Sequence, residues 1–233
     1  MQVFYLPGMT QGLNVLNPEE SHHCSRVLRT GKEEEVNFID GEGGFATGKI
    51  IQPHPRKTII EIREIKTNFN KRSYYLHIAI APTKNIDRFE WFLEKAVEIG
   101  IDEITPLICE RSERRTIKTE RLNKRILSAM KQSMNAFKPR LNELTSFKTF
   151  LNQINEANRY IAYRGQDAPP QLKEQPLLNS SSLILIGPEG DFSPGEVKMA
   201  LKNNIKQVGL GPSRLRTETA GIVCCHTTSL LNQ

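Results

Sequence analysis

Two short segments near the C-terminal end constrain the fold of this chain more than any other part of its sequence. They are residues 185–190, LIGPEG, and residues 210–220, LGPSRLRTETA. Each follows an apolar, strand-like run and precedes a helix-like one, so both are predicted to be turns at the ends of adjacent strands. Open α/β sheets bind ligands at such strand ends. The residue types predict a pocket rich in exposed backbone and carrying charges of both signs.

Strand-like and helix-like runs alternate from Tyr74 onward, which is typical of a mostly parallel sheet with helices on both faces. The predicted strands are 74–81, 103–109, 160–163 and 183–186, and the predicted helices are 86–99, 119–137 and 147–154. A last helix opens at Thr217 or a neighbour. Its predicted apolar stripe consists of Ala220, Val223, Cys224, Thr227, Leu230 and Leu231.

The first 65 residues or so have a different, β-rich pattern. Residues 36–40 and 45–51 alternate in polarity on either side of an Asp-Gly turn, which predicts a hairpin, and residues 58–65 predict another strand. One short helix is expected between Pro18 and Arg29. The basic, polar stretch 66–72 suits a linker. We therefore expect two domains, 1–68 and 73–233.

Composition limits the partners and the compartment. The 233 residues include 32 Lys and Arg against 26 Asp and Glu, a net charge of +6 that is compatible with an anionic partner. No apolar run reaches the ~20 residues of a membrane span, and the first residues lack the pattern of a signal peptide. The four cysteines form no C-x-x-C pair. These features predict a cytoplasmic protein with reduced cysteines, no membrane contact and no metal.

Neither loop contains one of the common phosphate-binding motifs. The chain has no G-x-x-x-x-G-K-[ST] element and no G-x-G-x-x-G after a strand. Glu189 would repel a pyrophosphate at close range. Ser193 and Glu196 form a predicted capping box with Pro194 at the first helical position. Taken alone, the G-P-E-G turn is equally compatible with a tight loop that binds nothing.

An ordered set of motifs resembles one family, the bacterial 16S ribosomal RNA uracil-N3 methyltransferases (RsmE) of the SPOUT superfamily. Besides the two loops, the resemblance rests on residues 22–29 (HHCSRVLR), on residues 84–100 and on Gln132-Ser133 with Pro139. It spans almost the whole chain in the right order.

The resemblance implies a SPOUT-type α/β knot domain (a trefoil knot) after a PUA-like, RNA-binding β-barrel. It also implies a homodimer that uses S-adenosyl-L-methionine to methylate 16S rRNA of the small ribosomal subunit. The loop after Tyr163 would close a third side of the cofactor pocket. The expected cofactor-binding residues are Tyr163, Ile186, Gly187, Pro188, Glu189, Gly190, Leu210, Gly211, Leu215, Arg216, Thr217, Thr219 and Ala220.

Three positions depart from the pattern of this family. Asp191 stands where a second glycine is common, Ser213 where an arginine is frequent, and Asn135 where an arginine commonly follows Gln132-Ser133. Arg214 is expected to substitute for the charge missing at Ser213.

The implied chemistry assigns roles to two residues of the second loop. Uracil N3 carries a proton, so its methylation needs a base or a cation that stabilises the developing anion. Arg216 is expected to provide that stabilisation, and Glu218 to orient Arg216. N3 lies on the Watson–Crick edge, so the base must be flipped out and the RNA backbone held. Expected RNA contacts are Arg26, Arg29, Lys84, Arg88, Arg111, Arg114 and Arg115.

Two other functions remain open at this point. The chain would be a SPOUT RNA methyltransferase with another target nucleotide, or a catalytically idle RNA-binding factor of ribosome assembly. The second is motivated by the basic charge and by the departures at Ser213 and Asn135.

Overall fold

The computed structural model describes residues 2–165 and 169–233, which form two compact units. The first unit comprises Met1–Lys71 and Leu127–Lys138, and the second comprises Arg72–Ile126 and Pro139–Gln233. In the described part of the chain, no helix combines the length and the apolar character needed to cross a bilayer.

The first unit is built on one five-stranded sheet. Its strands are β1 (Val3–Tyr5), β2 (Gly12–Val15), β3 (Glu35–Ile39), β4 (Phe45–Gln52) and β5 (Ile59–Lys66). Their order is β1-β3-β4-β5-β2, in which only the β1–β3 pair is parallel. The core of this unit includes Phe4, Leu16, Phe38, Ile50, Ile60 and Ile62.

The predicted hairpin is confirmed by the antiparallel pairing of β3 with β4. Asp40 closes its turn, because one carboxylate oxygen accepts from the N–H groups of Glu42 (2.7 Å) and Gly44 (2.8 Å). The single helix expected before Arg29 has two parts. It begins as α1 (Pro18–His22) and widens into a π-helical turn, His23–Val27.

The second unit contains a seven-stranded sheet in which every strand pair is parallel, as predicted. The strands are β6 (Tyr75–Ile80), β7 (Glu103–Ile108), β8 (Arg140–Leu141), β9 (Thr145–Ser146), β10 (Asn158–Ala162), β11 (Ser181–Ile186) and β12 (Lys206–Val208). The order is β12-β10-β11-β6-β7-β8, and β9 also pairs with β7. The loops that follow β10, β11 and β12 therefore meet at one edge of the sheet.

Five further helices are α2 (Ile86–Ile99), α3 (Thr119–Ser133), α4 (Phe147–Leu151), α5 (Pro194–Lys202) and α6 (Thr217–Leu231). The bounds of α2 match the prediction, because Asn85 caps its first turn and Gly100 ends it with φ +123°. The capping box of α5 is confirmed: Glu196 N–H donates to Ser193 Oγ, and Ser193 N–H donates to Glu196 Oε2.

Three helix predictions are wrong in part. Helix α3 ends at Ser133 rather than at residue 137, because Met134 adopts a left-handed φ of +54°. Helix α4 ends at Leu151 rather than at residue 154. In α6, Leu230 and Leu231 are exposed (56% and 38%) and lie outside the buried face.

The buried face of α6 is rotated toward Gly221 and Cys225. A Cβ atom at Gly221 would lie 2.4 Å from the Phe92 ring, so only glycine permits this close approach of α6 to α2.

Candidate cofactor site

A cavity of about 760 Å³ lies at the carboxyl ends of β10, β11 and β12, entirely within the second unit. One wall follows β11, a second runs from the end of β12 into the first turns of α6, and a third is formed by residues near the end of β10 together with residues 169–173. The two loops singled out from the sequence both line this cavity, but the prediction that they follow adjacent strands is wrong, because β10 lies between β11 and β12.

The wall after β11 is a tight turn. Asp191 N–H donates to the Pro188 carbonyl (2.9 Å), and a Cβ atom on Gly187 would lie 3.1 Å from the Phe192 backbone nitrogen. The Glu189 carboxylate turns toward the loop after β6, where it accepts the Lys84 N–H (2.9 Å). This carboxylate therefore fixes a neighbouring loop as well as lining the cavity.

The wall that leads into α6 depends on one glycine and one threonine. Gly211 has φ +111°, a conformation that L side chains rarely adopt, although no atom lies within 4 Å of where its Cβ would be. Thr217, the first residue of α6, donates its hydroxyl to the Gly187 carbonyl (3.0 Å). That buried bond joins the first and second walls.

The third wall contains residues that the sequence motifs did not reveal. Gln171 Oε1 accepts the Gly211 N–H (2.8 Å), and Leu172 N–H donates to the Gly209 carbonyl (2.9 Å). Gly209 N–H donates in turn to the Pro170 carbonyl (2.9 Å). The predicted loop after Tyr163 falls partly on residues 166–168, which lie outside the described residues.

Most of the predicted cofactor residues line this cavity: Tyr163, Gly187, Pro188, Glu189, Leu210, Gly211, Leu215, Arg216, Thr217 and Ala220. Three do not belong to the lining, namely Ile186, Gly190 and Thr219. Ile186 is buried in the sheet, and the Gly190 carbonyl accepts from Arg111 Nη1 (2.9 Å). Among the lining residues that the motifs missed are Pro169, Gln171, Leu172, Lys173, Val208, Gly209, Val223 and Thr227.

The expected pairing of Glu218 with Arg216 is wrong. Arg216 is exposed at the N-cap of α6 and lines the cavity, whereas Glu218 is buried, with 7% of its surface accessible. Glu218 Oε1 lies 3.9 Å from Arg88 Nε, and Oε2 has no hydrogen-bond partner among the described residues. Arg216 precedes α6 in an extended conformation, whereas Glu218 lies in the first turn of α6, the helix that packs against α2.

Asp191, one of the three departures described above, adopts a backbone conformation that glycine favours. Its φ is +63°, a left-handed conformation that Asp tolerates better than most residues. Its own carboxylate accepts the Phe192 N–H (2.8 Å). Burial raises the pKa of Asp191 above its ordinary value, against the opposing effects of that N–H and of the charges on Arg111 and Arg214.

None of the seven predicted RNA contacts lines the cavity. Arg26 and Arg29 are exposed in the first unit. In the second unit, Lys84 pairs with Glu113 (2.8 Å), and three arginines donate to main-chain carbonyls. These are Arg111 to Gly190, Arg114 to Thr83 (2.9 Å) and Lys84 (2.6 Å), and Arg115 to Glu110 (3.3 Å).

A second, polar cavity of about 620 Å³ lies at the opposite, amino ends of β6 and β7. His77, Glu103 and Glu156 meet there closely enough to offer ligands to a metal ion. Each already has protein partners, since His77 bonds to Glu156 and to Thr105 (2.7 Å), and Glu103 accepts from Asn142 (2.6 Å). The group forms a connected hydrogen-bond network.

Comparison with known proteins identifies the family. The family model described as the RNA methyltransferase domain matches residues 70–229, and the one described as the RNA methyltransferase PUA domain matches residues 16–63. The ribosomal RNA small subunit methyltransferase E of Mesomycoplasma hyopneumoniae is 31% identical over 203 residues, which are 84% of this chain and 86% of that relative. This chain belongs to the ribosomal RNA small subunit methyltransferase E family.

Solved structures agree with membership in the methyltransferase E family. A probable rRNA-methyltransferase from Porphyromonas gingivalis is 38% identical, with a TM-score of 0.91 over 100% of this chain and 98% of that one. The ribosomal RNA small subunit methyltransferase E of Neisseria gonorrhoeae, bound to S-adenosyl methionine, is 26% identical. It has a TM-score of 0.91 over 99% of this chain and 98% of that one.

Proposed function

We propose that this chain transfers a methyl group from S-adenosyl-L-methionine to N3 of one uridine in the 16S rRNA of the small ribosomal subunit, in the cytoplasm. The observation that carries the proposal is the three-walled cavity at the strand ends. It occurs in a chain whose relatives are named ribosomal RNA small subunit methyltransferase E, one of them solved with S-adenosyl methionine bound.

The cavity has the size and lining that such a cofactor requires. Its volume of about 760 Å³ lies within the range of about 300–1,000 Å³ that is usual for small-molecule sites. Apolar contacts come from Leu215, Ala220 and Val223, whereas Gly187, Gly209 and Gly211 carry no side chain and so permit a close approach of the cofactor to the backbone. We propose that the ten lining residues predicted from the motifs hold the cofactor, together with Gln171.

When bound, the cofactor supplies a methyl group on a sulfonium, which is already a good electrophile. The chain then needs to align the nucleophile and exclude competing orientations, and alignment of this kind contributes several kcal/mol, on the order of 7–11 in the best cases. The hydrogen bond from Thr217 to Gly187 holds two cavity walls in register for this purpose.

The residue proposed to act on the uracil is Arg216. Loss of the N3 proton places negative charge on O2 and O4, and a cation at the cavity wall stabilises it. Arg216 is exposed at the start of α6 and has no ion-pair partner within the described part of the chain. Glu218 acts on another cation: it is buried beside Arg88 and orients that side chain.

The first unit is proposed to be the PUA-like RNA-binding domain, with residues 1–68 as its body and 73–233 as the methyltransferase domain. The exposed Arg26 and Arg29 are proposed phosphate contacts. A uridine must leave its base pair before N3 can react, so binding outside the reaction site helps to offset the cost of flipping.

A trefoil knot is proposed for the second unit. The chain after β12 bonds to residues 170–172 and then returns, through α6, to pack against α2, β6 and β11. We propose that the C-terminal segment passes through the loop between β10 and β11, and these contacts support that path. The homodimer is proposed to bury apolar side chains that α2 and α6 leave exposed, among them Trp91 and Leu230.

The proposed function is tested with labelled S-adenosylmethionine and small ribosomal subunits from cells that lack the mark. We expect one methyl group per subunit and none on subunits that already carry it. Failure to bind the cofactor in calorimetry, together with no transfer, would overturn the proposal.

A further inference from the structure

The cofactor cavity carries more positive charge than its cofactor needs. Among the described residues, four basic side chains line it, Arg164, Lys173, Arg214 and Arg216, against two acidic ones, Glu189 and Asp191. All four basic side chains are exposed. None of them forms an ion pair within 4.0 Å in the described ranges, 2–165 and 169–233.

S-adenosylmethionine itself does not call for this surplus. At neutral pH it carries an ammonium, a sulfonium and one carboxylate, so its net charge is +1. Main-chain N–H groups can hold the carboxylate, so the cofactor requires no cation, and each cation at the wall repels the ligand. The surplus therefore suits an anionic group that lies beside the cofactor.

The two acidic side chains offset only part of the surplus. Four cations against two carboxylates leave a net charge of +2 among the described lining residues. Of the four basic residues, only Arg214 lies close enough to Asp191 to affect its pKa. Besides Arg216, which is assigned to the uracil, the cations of the described lining are Arg164, Lys173 and Arg214, here called the cationic rim.

The rim residues come from three separate segments. Arg164 follows β10, Lys173 lies in a 3₁₀ turn (Leu172–Glu174), and Arg214 lies between β12 and α6. Separate segments that bring cations to one opening provide several points of attachment. Arg111, Arg114 and Arg115 differ, because their guanidinium groups are already bonded to main-chain carbonyls.

We propose that the cationic rim binds backbone phosphates of the RNA on either side of the target nucleotide. This inference rests on the proposed function, since it takes the RNA to be the methyl acceptor. Phosphate contacts fix the position of a strand without reading its sequence. Held at this opening, the strand directs its flipped base into the cavity where Arg216 lies.

The test replaces all three rim residues by glutamine, R164Q/K173Q/R214Q. Binding of a 16S rRNA fragment that contains the target is measured over a range of salt concentrations, and cofactor binding is measured by calorimetry. We expect RNA affinity to fall about tenfold or more at low salt. The slope of log K against log salt should decrease in magnitude by about 2, because each phosphate contact contributes about 0.7–0.9.

Cofactor affinity should remain the same or increase, because the substitutions remove charges that repel a net cation. A purely structural role predicts the opposite, a loss of both affinities. The matched control is K198Q/K202Q/K206Q, which removes three exposed lysines of α5 and β12 that do not line the cavity. This control should retain nearly all of the RNA affinity.

Any of three results would overturn the proposed role of the cationic rim. They are unchanged RNA binding by the rim variant, a parallel loss of cofactor binding, and an equal loss of RNA binding in the lysine control. Measurements on the wild-type protein show whether a negative result contradicts the rim proposal alone or the proposed function as well. If wild type transfers methyl and the rim variant equals it, only the rim proposal is wrong. If wild type neither binds cofactor nor transfers methyl, the proposed function is wrong.

Discussion

The hydroxyl of Thr217 donates a buried hydrogen bond of 3.0 Å to the carbonyl of Gly187, thirty residues earlier in the chain. Thr217 is the first residue of α6, and Gly187 directly follows β11. The bond therefore fixes the start of the last helix against the turn that forms the opposite wall of the cavity. It makes the shape of the site depend on one side-chain oxygen.

Replacing Thr217 by Val retains the shape of the side chain and removes the donor. A buried carbonyl left without its partner costs about 1–3 kcal/mol of unfolding free energy. We expect that loss in chemical denaturation and a weaker affinity for S-adenosylmethionine in calorimetry. Thr217→Ser, which keeps the hydroxyl, should lie close to wild type, and equal behaviour of the two variants would contradict the role of the bond.

Gly211→Ala tests the backbone of the second wall. The space around Gly211 is open, so the effect comes only from its φ of +111°. Strain of this kind costs about 1–3 kcal/mol, and we expect lower stability and weaker cofactor binding. Gly195→Ala in α5 is the matched control, because Gly195 has no positive φ and the nearest atom would lie 3.7 Å away. If both variants lose cofactor affinity alike, the conformational explanation is wrong.

Glu156→Gln tests the network with His77. Burial alone would raise the pKa of Glu156, but the hydrogen bond and charge of His77 outweigh it and hold that pKa below its ordinary value. A carboxylate with a lowered pKa stabilises the fold above its unfolded pKa, near 4.3, and this contribution is lost as the pH falls through the folded pKa.

Wild type should therefore lose stability between about pH 5 and 3. The Glu156→Gln variant should be less stable at pH 7 and should depend less on pH in that interval. The exposed Glu120→Gln, measured in the same denaturation series, should retain the wild-type slope. A Glu156→Gln slope as steep as that of wild type would refute the assignment.

Arg114 and Arg26 should behave differently when each is replaced by alanine. Arg114 donates to the carbonyls of Thr83 and Lys84, so its loss releases the loop between β6 and α2 and should lower the melting temperature. Arg26 is exposed in the first unit, so its loss should leave stability unchanged and weaken RNA binding. Thermal unfolding and RNA titration of both variants check the contrast. Unchanged stability in Arg114→Ala would show that its hydrogen bonds do not brace the loop.

Arg216→Ala should lower kcat by about 10²–10³, the usual effect of losing one electrostatic stabiliser. Cofactor affinity should fall by a much smaller factor than kcat, because the main effect of Arg216 is exerted on the uracil. Arg216→Lys keeps the charge and should recover part of the rate. A rise in KM for RNA with unchanged kcat would assign Arg216 to RNA binding instead.

The sequence was sufficient to predict those features that a few neighbouring residues determine, such as the ends of a helix. Asn85 and Gly100 delimit α2, and Ser193 with Glu196 begins α5, all within a few residues of sequence. The parallel order of the sheet followed from the alternation of strands and helices. The position of both loops at the ends of strands also followed, which located two of the three cavity walls, but the sequence did not reveal that β10 lies between β11 and β12.

The remaining features depend on contacts between distant segments, which no local pattern encodes. Gln171 became part of the site by accepting the Gly211 N–H, forty residues away. Glu218 pairs with Arg88 of α2 because its position on α6 points it there rather than toward Arg216. The end of α3 was missed because Met134, not a glycine, takes the left-handed conformation that stops the helix.

The most direct test of the central claim is a nucleoside map of 16S rRNA from cells with and without the gene, read by mass spectrometry. We expect N3-methyluridine to be present at one position with the gene, to disappear without it, and to return with wild type but not with Arg216→Ala. The account is contradicted if N3-methyluridine persists without the gene, or if the modification that disappears is on another nucleotide or on a ribose hydroxyl.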